Sequence, residues 1–377
     1  MKKVLLYSLL LVAGLIASQF LNGTGAMAIK LGTMFCLAFI MIHVGYEFEI
    51  DKSRPKQYAW DYLVAGTAAA FPWIFCAGYF VWVLGTDSWK DALLLARFSS
   101  PTSAGVLFSM LAAAGLAATW VFKKARVLAI FDDLDTILLM VPLKMLMVGM
   151  KWQLAVIVLM IVVMLSLAWR YLHVVRLPVS WPWVMLYAGI LTGACEAAYL
   201  SSLLVDDTVP VHIEVLLPAF VLGCMLARPA GHDPHVDDVR EGHQDGPAEP
   251  NEQRVATIMS ACFMVLVGLS MPAIPREGIN WGVIALHVGL ITVLSNIGKM
   301  FPAFCYRQEA TLRERLALSI GMFPRGEVGA GVLVVSLSYG LGGTALTVAV
   351  LSLALNLLLT GMFIAAVKKL IAQPKAV

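Results

Sequence analysis

The sequence predicts an all-α polytopic membrane protein of about twelve transmembrane helices, with inverted repeats and two crossing discontinuous helices. Three observations carry this. First, 60% of the 377 residues are hydrophobic and only 14% charged, against roughly 25% charged in an ordinary soluble domain. Mean hydropathy is +0.83. One soluble core cannot hide that much apolar surface, whereas spans of ~20 residues place it in lipid. Second, Lys and Arg sort to one side of the expected membrane. Third, two apolar runs are interrupted by Pro and Gly at matching depths.

The apolar runs and their polar punctuation give spans at 4–20, 27–48, 60–84, 91–115, 126–149, 153–174, 182–204, 210–227, 255–272, 281–306, 314–338 and 343–367. They are too long and too continuously apolar for the alternating strands of an outer-membrane barrel. With the N-terminus inside, nineteen of the 27 Lys and Arg residues fall in cytoplasmic segments. Only Lys90, Lys151 and Arg276 fall outside, with Asp87, Asp91, Asp206 and Asp207. One span more or fewer would scramble this sorting, so both termini are expected in the cytoplasm. The start, Met1-Lys2-Lys3 and an apolar run, also fits a signal peptide, whose removal would leave the remaining topology unchanged.

Composition excludes other classes. The net charge of +3 is small and the basic residues are scattered, so no nucleic-acid partner is expected. All six cysteines (Cys36, Cys76, Cys195, Cys224, Cys262 and Cys305) lie in apolar stretches without a C-x-x-C spacing. Neither a disulfide framework nor a zinc ribbon is expected. The one long polar stretch, 228–254, holds seven acids with His232, His235 and His243. It reads as a mobile cytoplasmic linker whose H-D-P-H spacing offers no convincing metal geometry.

Inside the spans stand Lys30, Arg97, Lys144, Lys299 and Arg325, with Asp132, Asp133, Asp135, Glu196, Glu214 and Glu327. Each costs at least ~2.5–3.5 kcal/mol at the bilayer centre, so such groups pair with one another or line an ion path. Lys30, Lys144 and Glu214 lie near span ends, where snorkelling is the expectation. Arg97 and Glu196 have no partner evident from sequence. His43 and His287 read as packing residues.

The densest cluster is Phe131-Asp132-Asp133-Leu134-Asp135-Thr136 in the fifth span. Adjacent helical residues point about 100° apart, so Asp132 and Asp133 face different neighbours, while Asp135 and Thr136 return to the face of Asp132. Three carboxylates in one turn repel each other. Such a site suits alternate occupation by a proton and a hard cation such as Na⁺. Asp132 and Asp133 lie about seven residues from the cytoplasmic end of span five, and Lys299 the same distance from that end of span ten. At ~1.5 Å per residue all three sit about 10 Å in, at one level, and a salt bridge forms if the helices touch.

The fourth span breaks at Ser99-Ser100-Pro101-Thr102-Ser103 and the eleventh at Phe323-Pro324-Arg325-Gly326-Glu327. Pro removes a backbone donor and clashes with the preceding turn. The two spans enter from opposite sides and each breaks about ten residues in. Matched interruptions in oppositely oriented segments mark inverted repeats around a midplane site, here spans 3–5 and 10–12. Arg325 and Glu327 are expected to stabilise the half-helix ends or gate the site, with ion ligation the alternative.

At these residues the chain resembles the cation:proton antiporter superfamily, and most its bacterial branch of electrogenic sodium/proton antiporters with paired aspartates. The likeness runs through Leu37–Glu49, Ser99–Leu107, Phe131–Pro142, Ser295–Lys299 and Gly321–Gly329, and the layout covers nearly the whole chain. The resemblance implies that Asp132 pairs with Lys299 and that Asp133 is the essential cation- and proton-carrying carboxylate. It places Thr102 and Ser103, beside Pro101, at the crossing of the broken helices. Arg325 and Glu327 match the Arg and Glu of the second break. It further implies a homodimer in a bacterial inner membrane. A core of about 60–150 and 281–367 would move, elevator-like, against a dimerisation part of about 1–50 and 182–227. Asp135, Arg97 and a missing N-terminal span depart from the pattern; Asp135 is grouped with the gating residues.

The expected function is electrogenic exchange of cytoplasmic Na⁺ or Li⁺ for external protons, with no cofactor beyond the transported ions and only lipid and a second copy as partners. K⁺/H⁺ exchange is the alternative within transport, followed by sodium-coupled organic-anion symport. An intramembrane aspartyl protease needs two carboxylates about 3 Å apart, which adjacent residues of one helix do not supply. A channel needs a continuous ring-lined pore.

Overall fold

The computed structural model describes residues 2–20, 25–46, 55–86, 88–148, 152–204, 215–227, 250–271, 280–338 and 341–372. Fourteen α-helices run through them: α1 (Lys2–Ser18), α2 (Ala26–Tyr46), α3 (Pro55–Trp82), α4 (Trp89–Ala96), α5 (Ala104–Ala113), α6 (Trp120–Val148), α7 (Trp152–Arg170), α8 (Trp181–Leu203), α9 (Leu216–Met225), α10 (Pro250–Leu269), α11 (Trp281–Gly298), α12 (Leu312–Gly321), α13 (Glu327–Ser338) and α14 (Gly343–Ala372). With α4 and α5, and α12 and α13, each taken as one interrupted span, the described helices match the twelve spans expected from sequence. Among the described residues, seven helical segments are long and apolar enough to cross a membrane unaided. The long α6 is not one of them, since it carries the three aspartates.

Local chemistry starts the helices where the spans begin. Ser88 caps α4 by accepting from the Lys90 amide, and Asn280 caps α11 by accepting from Val283. Thr311 opens α12 with a reciprocal capping box to Glu314. A short 3-10 turn, Arg97–Ser99, ends α4, and an extended stretch through Pro101–Ser103 leads to α5, capped by the Ser103 hydroxyl. A second extended stretch, Phe323–Gly326, separates α12 from α13.

The chain divides into two compact units. The first comprises Met1–Ile29, Ser53–Leu143 and Met264–Val377. In it α14 packs against α11, α12 and α1, and α3 packs against α11 and α4. The α3–α11 contact is backbone to backbone. A Cβ on Gly298 would stand 2.5 Å from the Pro72 nitrogen and 2.8 Å from its Cα. The first helix, α1, packs on α5 and α14 of this first unit.

One end of the first unit is tied by ions. Lys124 on α6 lies 3.1 Å from Asp61 on α3 and 3.1 Å from Glu309. The Tyr306 hydroxyl donates to Asp61 at 2.7 Å. The three segments are those that charge sorting assigns to the same membrane face. At the opposite end Tyr79 and His287 share a 2.7 Å hydrogen bond between α3 and α11.

The second unit comprises Lys30–Lys52 and Lys144–Phe263. Here α9 packs on α7 and α8. The α7–α8 connection is pinned to the end of α9, where the His173 amide donates to Cys224 and Val175 donates to Met225. Lys30, expected to snorkel alone, pairs with Glu196 on α8 at 2.6 Å and lies 4.4 Å from the centre of the Tyr199 ring. Glu214, residues 228–249 with His232, His235 and His243, and the side chains of Lys144 and Glu327 lie outside the described residues.

Candidate functional site

The two interruptions meet in the first unit. The Ser103 amide donates to Pro324 O at 2.9 Å, bridging the extended stretches. Thr102 Oγ1 donates to Met322 O at 3.0 Å. A Cβ on Gly326 would stand 2.6 Å from Ser103 Oγ and 2.8 Å from its Cβ, so glycine lets the two breaks approach this closely. The crossing therefore gathers two carbonyl-rich helix ends and two amide-rich helix starts in the protein interior.

Charged side chains answer those ends by sign. Arg325 is fully buried and bonds carbonyls on both interrupted spans. Its Nε donates to Ser99 O at 2.9 Å, one terminal nitrogen to Met322 O and Phe323 O, and the other to Ser295 O at 3.3 Å. A cation thus satisfies carbonyls that neither α4 nor α12 can bond internally. On the amide side, the Thr102 N–H donates to Asp132 Oδ2 at 2.7 Å. Pro101 has no N–H to offer, so Thr102 is the first donor after the break.

Asp132 Oδ2 also accepts from Lys299 Nζ at 2.7 Å, and both side chains are 0% exposed. This is the pairing that equal depth in spans five and ten anticipates. Asp132 Oδ1 has no hydrogen-bond partner among the described residues. Thr136 donates back to the Asp132 carbonyl, reinforcing the turn. Asp133 follows on the adjoining face of α6, 3% exposed.

Asp135 follows Asp132 by three residues on α6 and is 5% exposed. Its carboxyl stands against Gly66 of α3, where a Cβ would come 2.8 Å from Oδ2. Asp132 meets Lys299 and Thr102, while Asp135 faces α3 at Gly66. Pro101, Thr102 and Ser103 all lie in the first break, and Glu327 begins α13.

Sequence reasoning overlooked several polar residues. Asp61 and Lys124 sit near the starts of α3 and α6, and the depth count that found Lys299 would also have found them. Ser295 and the Ser99 and Met322 carbonyls carried no signal, since they act through backbone oxygen.

With this geometry in view, the comparisons are specific. The model of the sodium/hydrogen exchanger family, transmembrane, matches residues 4–370. The chain belongs to the sodium/hydrogen exchanger family. Among solved structures, that of the sodium proton antiporter MjNhaP1 from Methanocaldococcus jannaschii at pH 8 is similar, with a TM-score of 0.61 and 16% identity over 97% of this chain and 92% of that one. The likeness shows a shared exchanger fold. Among curated proteins none matches. The exchanger family fixes the class of activity as cation/proton antiport in a membrane. Its ions are cargo, not cofactors, and no catalytic chemistry is called for.

Proposed function

We propose that this exchanger moves Na⁺ or Li⁺ out of the cytoplasm against inward-moving protons and that it is electrogenic. The observation that carries this reading is the buried Lys299–Asp132 pair, closed by the Thr102 amide at the helix crossing. Asp133, beside it, alternates between a proton and a cation. Carboxylate oxygens of Asp133 and Asp132 suit a hard cation, with Thr102 and Ser103 lining the crossing. When a cation displaces the proton on Asp133, Asp132 and Lys299 rearrange their own proton, so that more than one positive charge returns per cation exported. Electrogenicity follows from a set of two aspartates and one lysine.

Pro101, Arg325 and Glu327 keep the broken helices in shape while the site changes sides, and Asp135 adjusts the same turn. The site alternates by an elevator-type movement of its unit, in a homodimer embedded in the lipid of a bacterial inner membrane. Lys and Arg asymmetry puts both termini in the cytoplasm.

The test is flux in proteoliposomes with a trapped pH dye. Addition of Na⁺ or Li⁺ is expected to collapse an imposed proton gradient, and Asp133→Asn to abolish the response. A response to K⁺ alone replaces this reading with K⁺/H⁺ exchange. Silence toward all three cations overturns it, and sodium-coupled organic-anion uptake is then assayed in the same vesicles.

A further inference from the structure

Arg97 is the largest fully buried side chain outside the pairings already described, and sequence gave it no partner. Its hydrogen bonds are unusual for a buried cation. One terminal nitrogen donates to Ser100 Oγ at 2.7 Å and the other to the backbone carbonyl of Asp135 at 3.0 Å. Ser100 Oγ passes the chain on to Ala69 O at 2.8 Å, in the turn of α3 just before Pro72. The guanidinium lies 4.8 Å from the centre of the Trp73 ring. Trp73 is itself fixed by donating from Nε1 to Leu93 O at 2.7 Å. Arg97 therefore joins the end of α4, the middle of α3 near Pro72 and the aspartate turn of α6. Among the described residues it hydrogen-bonds no carboxylate.

We propose that Arg97 is a positioning residue for cation binding. Its planar fork fixes the α6 turn carrying Asp132 and Asp133 against the first break, in the register where the Thr102 amide reaches Asp132. Two features favour this over simple charge neutralisation. The fork spends its hydrogen bonds on a hydroxyl and a main-chain carbonyl, which set geometry and not charge balance. It also ties to the α6 backbone one turn beyond Asp132, so any slip of α6 moves both aspartates together. A lysine keeps the charge but offers no fork.

This inference rests on the antiport reading. Wild-type flux is measured first, and a wild type silent toward every cation overturns both. With active wild type, Arg97→Lys is assayed for cation KM, maximal rate and pH profile. Loss of an outer support typically costs ~10–100-fold in metal affinity. The expected result is a KM raised by that factor, with the maximal rate within a few-fold and the pH profile unmoved. Ser100→Ala, which cuts one prong without touching the charge, shifts KM in the same direction by less. A wild-type KM in Arg97→Lys overturns the proposal. So does a parallel fall in rate with no change in KM, the pattern of a merely structural role. If Arg97→Lys does not fold, Ser100→Ala decides alone: an unchanged KM overturns the proposal.

Discussion

Asp132 receives an ammonium and a backbone amide on one oxygen, and both it and Lys299 are fully buried. Burying such a charge is expensive, and removing one partner leaves the other uncompensated, at about 3–5 kcal/mol. Lys299→Met is therefore expected to lower the melting temperature of the detergent-solubilised protein. The double variant Lys299→Met with Asp132→Asn is expected to recover much of the loss; additive losses contradict the pairing. Thr102 acts on Asp132 through its backbone. Thr102→Val keeps that amide and loses only the hydroxyl bond to Met322 O, so about 1 kcal/mol is expected. Activity should survive, and its abolition by Val would show that the hydroxyl itself touches the ion. The pairing of Asp132 with Lys299 was legible because both residues stand at one counted depth on oppositely running helices. Arg97 and Glu196 were not legible: their partners depend on which helices are neighbours, and hydropathy does not encode adjacency.

At the scale of elements, both interruptions could be read from Pro101 and Pro324 with their flanking Ser and Gly. How they are stabilised could not. Arg325 bonds four carbonyls from three segments, and backbone acceptors leave no mark in a sequence. Arg325→Met leaves helix-end carbonyls buried and unpaired, at about 1–3 kcal/mol each. Exchange is expected to be lost along with thermal stability, in flux and melting assays on the same preparation. The approach of α3 to α11 has a comparable signature. Gly298→Ala places a methyl group into the Pro72 backbone, and Lys299 is the next residue. Cation KM is expected to rise as the helices part and Lys299 draws away from Asp132. An unchanged KM would mean that the α3–α11 spacing does not hold the pair.

At the scale of the whole molecule, the expectation of twelve spans follows from hydropathy and the sorting of Lys and Arg, and that of an inverted layout from the matched interruptions. Asp61, Lys124, Glu309 and Tyr306 meet at the end of the first unit that charge sorting makes cytoplasmic, and Tyr79 meets His287 at its other end. In a cysteine-free background, single cysteines at Lys90 and Lys123 are expected to label from opposite sides of oriented vesicles. Labelling from the same side contradicts the span count between them. The grouping of α1 with α5 and α14 was less accessible, because an apolar helix carries no mark of the helix it packs against.

The central claim is that a buried aspartate pair and a lysine exchange charge unequally across the membrane. The most direct measurement is Na⁺-driven proton flux in proteoliposomes, with the membrane potential either clamped by a potassium ionophore or left free. The account predicts that clamping accelerates exchange, that unclamped exchange builds a potential, and that Asp133→Asn abolishes both effects. Vigorous Na⁺/H⁺ exchange indifferent to the clamp would contradict it, because the lysine–aspartate pair would then move no net charge.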